Sequence, residues 1–167
     1  KKLINELKEK EARQQIKGEE MMEKAVSLLE QSQYTDAHNL LLEAKALFES
    51  KDLWLNTIWA RVKVEPEVMA SEAPMLRAEL NELDSEEKKT SLFHFVYGLL
   101  LALERKYDLA ERSFVRSLEF DKSFLSARRE LALIRSKSKS KGKAKSSDFL
   151  TGDVTSIISG IFKKKSG

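Results

Sequence analysis

Apolar residues recur along the first 135 residues at steps of three and four, the spacing that places them on one face of an α-helix. The longest such stretch covers residues 2–31, and its apolar positions are Leu3, Ile4, Leu7, Ala12, Ile16, Met21, Ala25, Leu28 and Leu29. The pattern continues in six further stretches, at about 35–50, 53–64, 67–83, 85–104, 108–119 and 123–135. No strand-like alternation bounded by turn residues interrupts it. The pattern predicts an all-α protein of about seven helices, in which short connections make neighbours antiparallel.

Three residues carry local signals for where these helices begin and end. Asp52 is expected to cap the third helix, because its side chain can accept a hydrogen bond from an unpaired N–H of the first turn. Pro66 is expected to end that helix, since the residue before a proline avoids the helical conformation. Pro74 lies inside the fourth stretch, so that helix is predicted to begin or kink there.

Two segments share one pattern with an offset of 73 residues. In each, a small residue is followed nine positions later by Tyr, then by Ala and by a large apolar residue. The first set is Ala25, Tyr34, Ala37 and Leu41, and the second is Gly98, Tyr107, Ala110 and Phe114. Antiparallel helices approach closely only where one presents a small side chain to the other. The small residues therefore predict close helix contacts, the large ones fill the gap, and each Tyr wedges a turn.

This spacing resembles the tetratricopeptide repeat, a helix–turn–helix unit of about 34 residues. The resemblance covers about residues 20–135 and implies three repeats, the middle one degenerate at about 53–85, with a closing helix at 123–135. It implies a short right-handed solenoid of stacked antiparallel hairpins. His94 and Lys122 depart from the family pattern, which usually has a large apolar residue and often Pro at these places.

The layout is also similar to the C-terminal repeat region of certain bacterial J-domain proteins, which end in a Lys-rich linker and a short apolar segment tipped with Lys. The HPD tripeptide of the J-domain does not occur in this sequence, so no J-domain activity is expected from it. The chain also lacks an initiator Met, and we expect it to be a piece of a longer protein.

The repeat resemblance implies a concave face lined by the first helix of each pair, which typically takes an extended peptide or a partner helix. The residues expected to line this groove are Met22, Val26, Leu29, Leu92, Phe95, Leu99 and Ala102. Some family members clamp a peptide carboxylate there with Lys, Asn and Arg. Apolar residues occupy the matching places in this chain, so no carboxylate clamp is expected; they are Met22, Val26, Leu92 and Val96.

Composition divides the chain into three parts: a repeat domain at 1–135, a flexible Lys/Ser-rich linker at 136–147 and a short apolar helix at 148–167 that ends in lysines. The apolar stripe predicted on this tail helix consists of Leu150, Val154, Ile157, Ile158 and Ile161. The sequence leaves three alternatives for what the tail helix binds: a partner protein, the chain's own groove, or an anionic membrane surface. Docking on a protein is favoured, because the tail has few large apolar residues and would bind a bilayer only weakly.

Charge is unevenly distributed. Residues 135–167 carry nine basic and two acidic side chains, a balance of +7, so residues 1–134 carry −4. The basic character belongs to the tail, where no aromatic residues interleave with the lysines, and no nucleic-acid partner is expected. A weak contact with anionic membranes stays possible for this segment.

The residue types offer little chemistry. The chain has no Cys and two His, and His38 and His94 are interpreted as packing residues because no ligand cluster surrounds them. Of Trp54 and Trp59, one is expected in the core and the other is a candidate exposed anchor. We therefore predict a cytoplasmic, non-catalytic scaffold or adaptor without metal or cofactor, which binds a partner helix or peptide. The alternative is a membrane-surface scaffold anchored by the linker and tail.

Overall fold

The computed structural model describes residues 1–140, and this part of the chain is all-helical. Its helices are α1 (Lys2–Glu30), α2 (Tyr34–Lys45), α3 (Lys51–Val64), α4 (Pro66–Asn81), α5 (Ser91–Leu103), α6 (Tyr107–Phe120) and α7 (125–140). No strand occurs in residues 1–140. The all-α class predicted from the apolar periodicity is confirmed. The tail predicted at 148–167 lies outside the described residues.

Two helix starts differ from the expected ones because other residues cap them. The Oγ of Ser50, not the side chain of Asp52, accepts a hydrogen bond from the backbone N–H of Leu53 at 3.0 Å, so α3 begins at Lys51. Likewise Thr90 accepts from the N–H of Phe93 at 3.1 Å and caps α5. Each cap satisfies one of the donors that a helix N-terminus leaves unpaired.

The two prolines have different roles from one another. Pro66 follows directly after the end of α3, as predicted, and it occupies the first turn of α4, where a missing N–H costs nothing. Pro74 lies within α4, which is continuous from Pro66 to Asn81. Of the two alternatives, a helix start at Pro74 is wrong, because Pro66 already provides the start. A kink at Pro74 stays a prediction.

The first six helices follow one another as three consecutive pairs, α1/α2, α3/α4 and α5/α6, which we call the first, second and third hairpins. The two helices contact each other extensively in the first and third pairs and only slightly in the second. In α1/α2, Gly18 faces the ring of Phe48, and in α5/α6, Gly98 faces the ring of Phe114. A Cβ on Gly98 would lie 2.7 Å from the Phe114 ring, far inside van der Waals contact. The absence of a side chain at Gly98 is thus what allows α5 and α6 to approach this closely.

The first and third hairpins turn in the same way. Ser32 and Arg105, each two residues before the Tyr, both have left-handed backbone geometry, with φ of 63° and 59°. The N–H of the next residue then bonds back to a carbonyl of the first helix, from Gln33 to Leu28 at 2.9 Å and from Lys106 to Leu101 at 3.0 Å. This is the Schellman arrangement that closes helix C-termini. The second hairpin has no left-handed residue and turns at Glu65 instead.

A single aromatic cluster lies at the centre of the core. Trp59 of α3 packs edge-on against Phe95 of α5, with ring centroids 4.8 Å apart, and Phe95 also contacts Phe114 of α6 at 5.9 Å. All three side chains are buried. Helix α3 thus packs against α5 through this cluster.

The last described helix is longer than expected. Helix α7 continues to residue 140, five residues into the segment predicted as linker. The helix therefore includes the first five residues of the predicted linker, and the division of the chain into domains stays a prediction. The remainder of that predicted linker, 141–147, lies outside the described residues.

Candidate functional site

Three of the seven residues predicted to line a groove lie inside the core. Leu29, Phe95 and Leu99 are 1%, 0% and 2% exposed. Side chains this deeply buried cannot touch a ligand, so their assignment to a groove surface is wrong. The other four are half-buried, and they are Met22, Val26, Leu92 and Ala102. Val96, at one of the places of the carboxylate clamp, is also buried.

Helix α7 and the residue before it contact the body at several places, one of which is Phe95 of the predicted groove. The ring of Phe124 packs against Trp59 at 5.8 Å and against Phe95 at 4.8 Å. Further along, Glu130 pairs with Lys63 of α3, and the guanidinium of Arg129 donates to the carbonyl of Glu30 at the end of α1. The segment therefore touches the first helix of all three hairpins.

The apolar face of α7 explains this position. Phe124, Ala127, Leu131 and Ile134 follow one another at steps of three and four, so they share one side of the helix. Phe124 is half-buried and the other three are buried. The segment thus buries its apolar side against the body of the protein.

The eight signature residues lie at the helix contacts and turns. Ala25, Ala37, Leu41, Ala110 and Phe114 are fully buried, and Gly98 is buried beside Phe114. Tyr34 and Tyr107 are half-buried at the starts of α2 and α6. The five residues proposed for tail docking, Leu150, Val154, Ile157, Ile158 and Ile161, lie outside the described residues.

The best-shielded ion pair joins the second and third hairpins. Arg77 of α4 donates to Glu104, at 2.8 Å for one of the two contacts, and both side chains are mostly shielded from solvent. The hydrogen bond from Arg77, with a smaller contribution from Lys106, holds the pKa of Glu104 below its usual range. The same pairing raises the pKa of Arg77. The pair bridges two structural elements and leaves no carboxyl group poised for proton transfer.

His94 packs as an aromatic residue. Its ring stacks on Phe120 at 5.4 Å and meets Phe93 edge-on at 5.1 Å. Burial, and secondarily the positive charge of Arg116, lower the pKa of His94. Within residues 1–140, no three His, Asp or Glu side chains are grouped so that they could hold a metal ion.

One concave cleft opens between the C-terminal ends of α2 and α4 and the N-terminal end of α3. It has a volume of about 450 Å³. Its lining consists of Lys45, Glu49, Ser50, Lys51, Leu53, Trp54, Thr57 and Leu83. Trp59 is in the core, whereas Trp54 is half-buried and forms part of this cleft. The helical pattern singled out the tryptophan pair but gave no sign of the cleft, which depends on where α4 ends.

The N-terminal half of α1 extends away from the rest of the fold. Every residue in 1–17 is exposed, and Gly18 is the first buried position of the helix. This part of α1 is about 25 Å long at 1.5 Å per residue. We call residues 1–17 the projecting segment.

Comparisons with protein-family models, with curated proteins and with solved structures gave no match. Among residues 1–140, no helix combines the length and the hydropathy needed to cross a bilayer. The cytoplasmic location stays a prediction.

Proposed function

We propose that this chain is a non-catalytic scaffold that binds another protein. We further propose that its fold is a short tetratricopeptide-like solenoid of three hairpins closed by α7. The shared turn geometry of the first and third hairpins supports the second proposal. Because Phe124 packs on Phe95, one of the residues predicted to line the groove, we place the binding surface elsewhere on the chain.

The observation that carries the binding proposal is an uncovered apolar stripe on the projecting segment. Leu3, Ile4 and Leu7 are 73%, 57% and 53% exposed. Leu7 precedes Gly18 by eleven residues, which is about three helical turns at 3.6 residues per turn. The stripe therefore continues the side of α1 that packs on the body at Gly18 and Ala25.

An isolated helix of this length is marginally stable in water, and an apolar stripe gains free energy only when another surface covers it. Within residues 1–140 nothing does. The spacing of Leu3, Ile4 and Leu7 matches the anchors of a helix that packs lengthwise on another helix. The partner we propose is an amphipathic helix of another protein.

The test compares three baits in affinity capture from cells of the source organism, with quantitative mass spectrometry. They are the parent chain, the variant L3E/I4E/L7E, and I16E as the matched control. Ile16 is exposed to a similar degree, 56%, but it lies about 200° around the helix from Gly18. No residue of the projecting segment is buried, so all three baits should have the same melting temperature.

We expect a specific protein to be enriched equally by the parent chain and by I16E, and to be lost from the triple variant. A purified segment of that protein should then bind the parent chain in solution. Equal enrichment on all three baits would show that the stripe is not the binding surface, and no enriched protein on the parent bait would count against the scaffold role itself.

A further inference from the structure

The cleft beside Trp54 has an apolar interior and a charged rim. Leu53 is buried, Leu83 and Trp54 are half-buried, and together they form an apolar wall. The volume of about 450 Å³ lies within the range of about 300–1,000 Å³ that is typical of ligand sites. A site of this kind suits one bulky apolar side chain rather than a flat protein surface.

Some polar groups around the cleft are already hydrogen-bonded within the chain, whereas others still have donors available for a ligand. Ser50 accepts from the N–H of Leu53, and Thr57 donates to the Leu53 carbonyl at 2.7 Å. The ammonium group of Lys51 donates one hydrogen bond, to the carbonyl of Glu87 at 3.2 Å, and this fixes it at the rim with donors to spare. The ammonium group of Lys45 forms no hydrogen bond or ion pair with another residue of the described chain.

The rim therefore favours a negative ligand. It carries two ammonium groups against one carboxylate, that of Glu49. The cleft also lies at the N-terminus of α3, where the helix dipole adds partial positive charge. An indole face beside lysine side chains binds apolar groups and leaves the adjacent charges in contact with water.

We propose that this cleft binds an acidic peptide segment of a partner protein. One bulky apolar side chain of the segment rests on the indole of Trp54, and a neighbouring carboxylate pairs with Lys45 and Lys51. This site is separate from the apolar stripe of the projecting segment, and it stands whether or not that stripe binds a partner.

The chain provides its own reporter, because it has two tryptophans and only one lies in the cleft. In a ¹H–¹⁵N correlation spectrum we expect separate indole N–H signals, because the ring of Trp54 is half-buried and that of Trp59 is buried, and W54F assigns them. The first probe is a blocked pentapeptide with a central phenylalanine and two glutamates on each side. Two matched probes replace the phenylalanine with alanine, or all the glutamates with lysines.

We expect the first probe to shift the Trp54 indole signal in a saturable way and to leave that of Trp59 unchanged. Both matched probes should bind far more weakly. Replacing Lys45 and Lys51 together with glutamine should weaken binding of the first probe roughly tenfold, the effect of two solvent-accessible ion pairs. K24Q, which changes an exposed lysine on α1, serves as the charge control and should leave the affinity unchanged.

Three results would overturn the proposal. They are no shift of the Trp54 signal with any probe, equal affinity for the acidic and the basic probe, and equal affinity for the phenylalanine and the alanine probe. Circular dichroism of each variant shows whether it is folded, so a loss of binding can be attributed to the cleft. Because residues 1–17 play no part in this assay, its failure leaves the α1 proposal intact.

Discussion

The contact between Gly98 and Phe114 allows a quantitative test of whether the first and third hairpins follow one plan. In the third hairpin the small and large partners are Gly98 and Phe114. The residues at the corresponding positions of the first hairpin are Ala25 and Leu41. In the third hairpin a glycine, which has no side chain, lies opposite a large ring. In the first hairpin an alanine methyl group corresponds to the glycine, and a smaller aliphatic side chain corresponds to the ring. If the two sites are equivalent, the pairs are interchangeable as pairs but not as single residues.

The structure sets the size of the single effects. G98A places a Cβ 2.7 Å from a ring that is fully buried and packed against Phe95, so the ring has little room to move. Overpacking of this kind costs about 1–3 kcal/mol. The better helix propensity of alanine offsets about 1 kcal/mol of this cost. The free energy of unfolding of G98A should therefore be lower by up to about 2 kcal/mol. F114L leaves a partial cavity and should cost about 1–3 kcal/mol, less than truncation to alanine.

The combination G98A/F114L should cost less than the sum of the single effects by at least about 1 kcal/mol, because the smaller side chain makes room for the new methyl group. The free energies of unfolding come from urea titrations followed by far-UV circular dichroism. The reciprocal pair, A25G/L41F, should show coupling of the same sign. Single effects that add within about 0.5 kcal/mol in both hairpins would refute the equivalence.

Three further predictions concern charge, protonation and the turn. E104Q should lower the free energy of unfolding by about 1–3 kcal/mol near neutral pH, because it removes the charged partner of Arg77. Since the folded-state pKa of Glu104 is depressed, the difference from the parent should shrink as the pH falls below about 4 in urea titrations. The lowered pKa of His94 means that the unfolded chain binds a proton more readily. The contribution of His94 to stability should therefore fall as the pH drops below about 6.5, and the melting temperature of H94F should depend less on pH in that range. R105G should raise the free energy of unfolding by up to about 1 kcal/mol, because glycine adopts a left-handed φ without a steric penalty, and thermal melts would detect this.

The apolar periodicity predicted the helices well because burial on one side is what stabilises each of them. It predicted their ends less well. Ser50 and Asp52 are both good capping residues two positions apart, and a single sequence does not say which side chain reaches the first turn. Similarly, Ser32 and Arg105 adopt the left-handed geometry that glycine most often provides. Because neither residue is a glycine, the sequence contains no signal that predicts the shared turn.

The groove was harder to predict because α5 is apolar on nearly every side. Its sequence, SLFHFVYGLLLAL, gives no polar face to indicate which side meets solvent. Phe95 and Leu99 were therefore assigned to a surface on the strength of the repeat resemblance alone. Phe124 covers part of Phe95 and lies about 30 residues later in the chain, and local sequence patterns do not determine where such a distant segment packs.

The hydrogen bond from Arg129 to Glu30 joins residues 99 positions apart. In an open row of helical units each unit contacts only its neighbours, so the row melts piece by piece from its ends. Within residues 1–140 the last helix, α7, is bonded to the end of the first, so separation of either from the body would break this contact. We therefore expect the body to unfold in one cooperative step and to fold at a rate limited by this long-range closure.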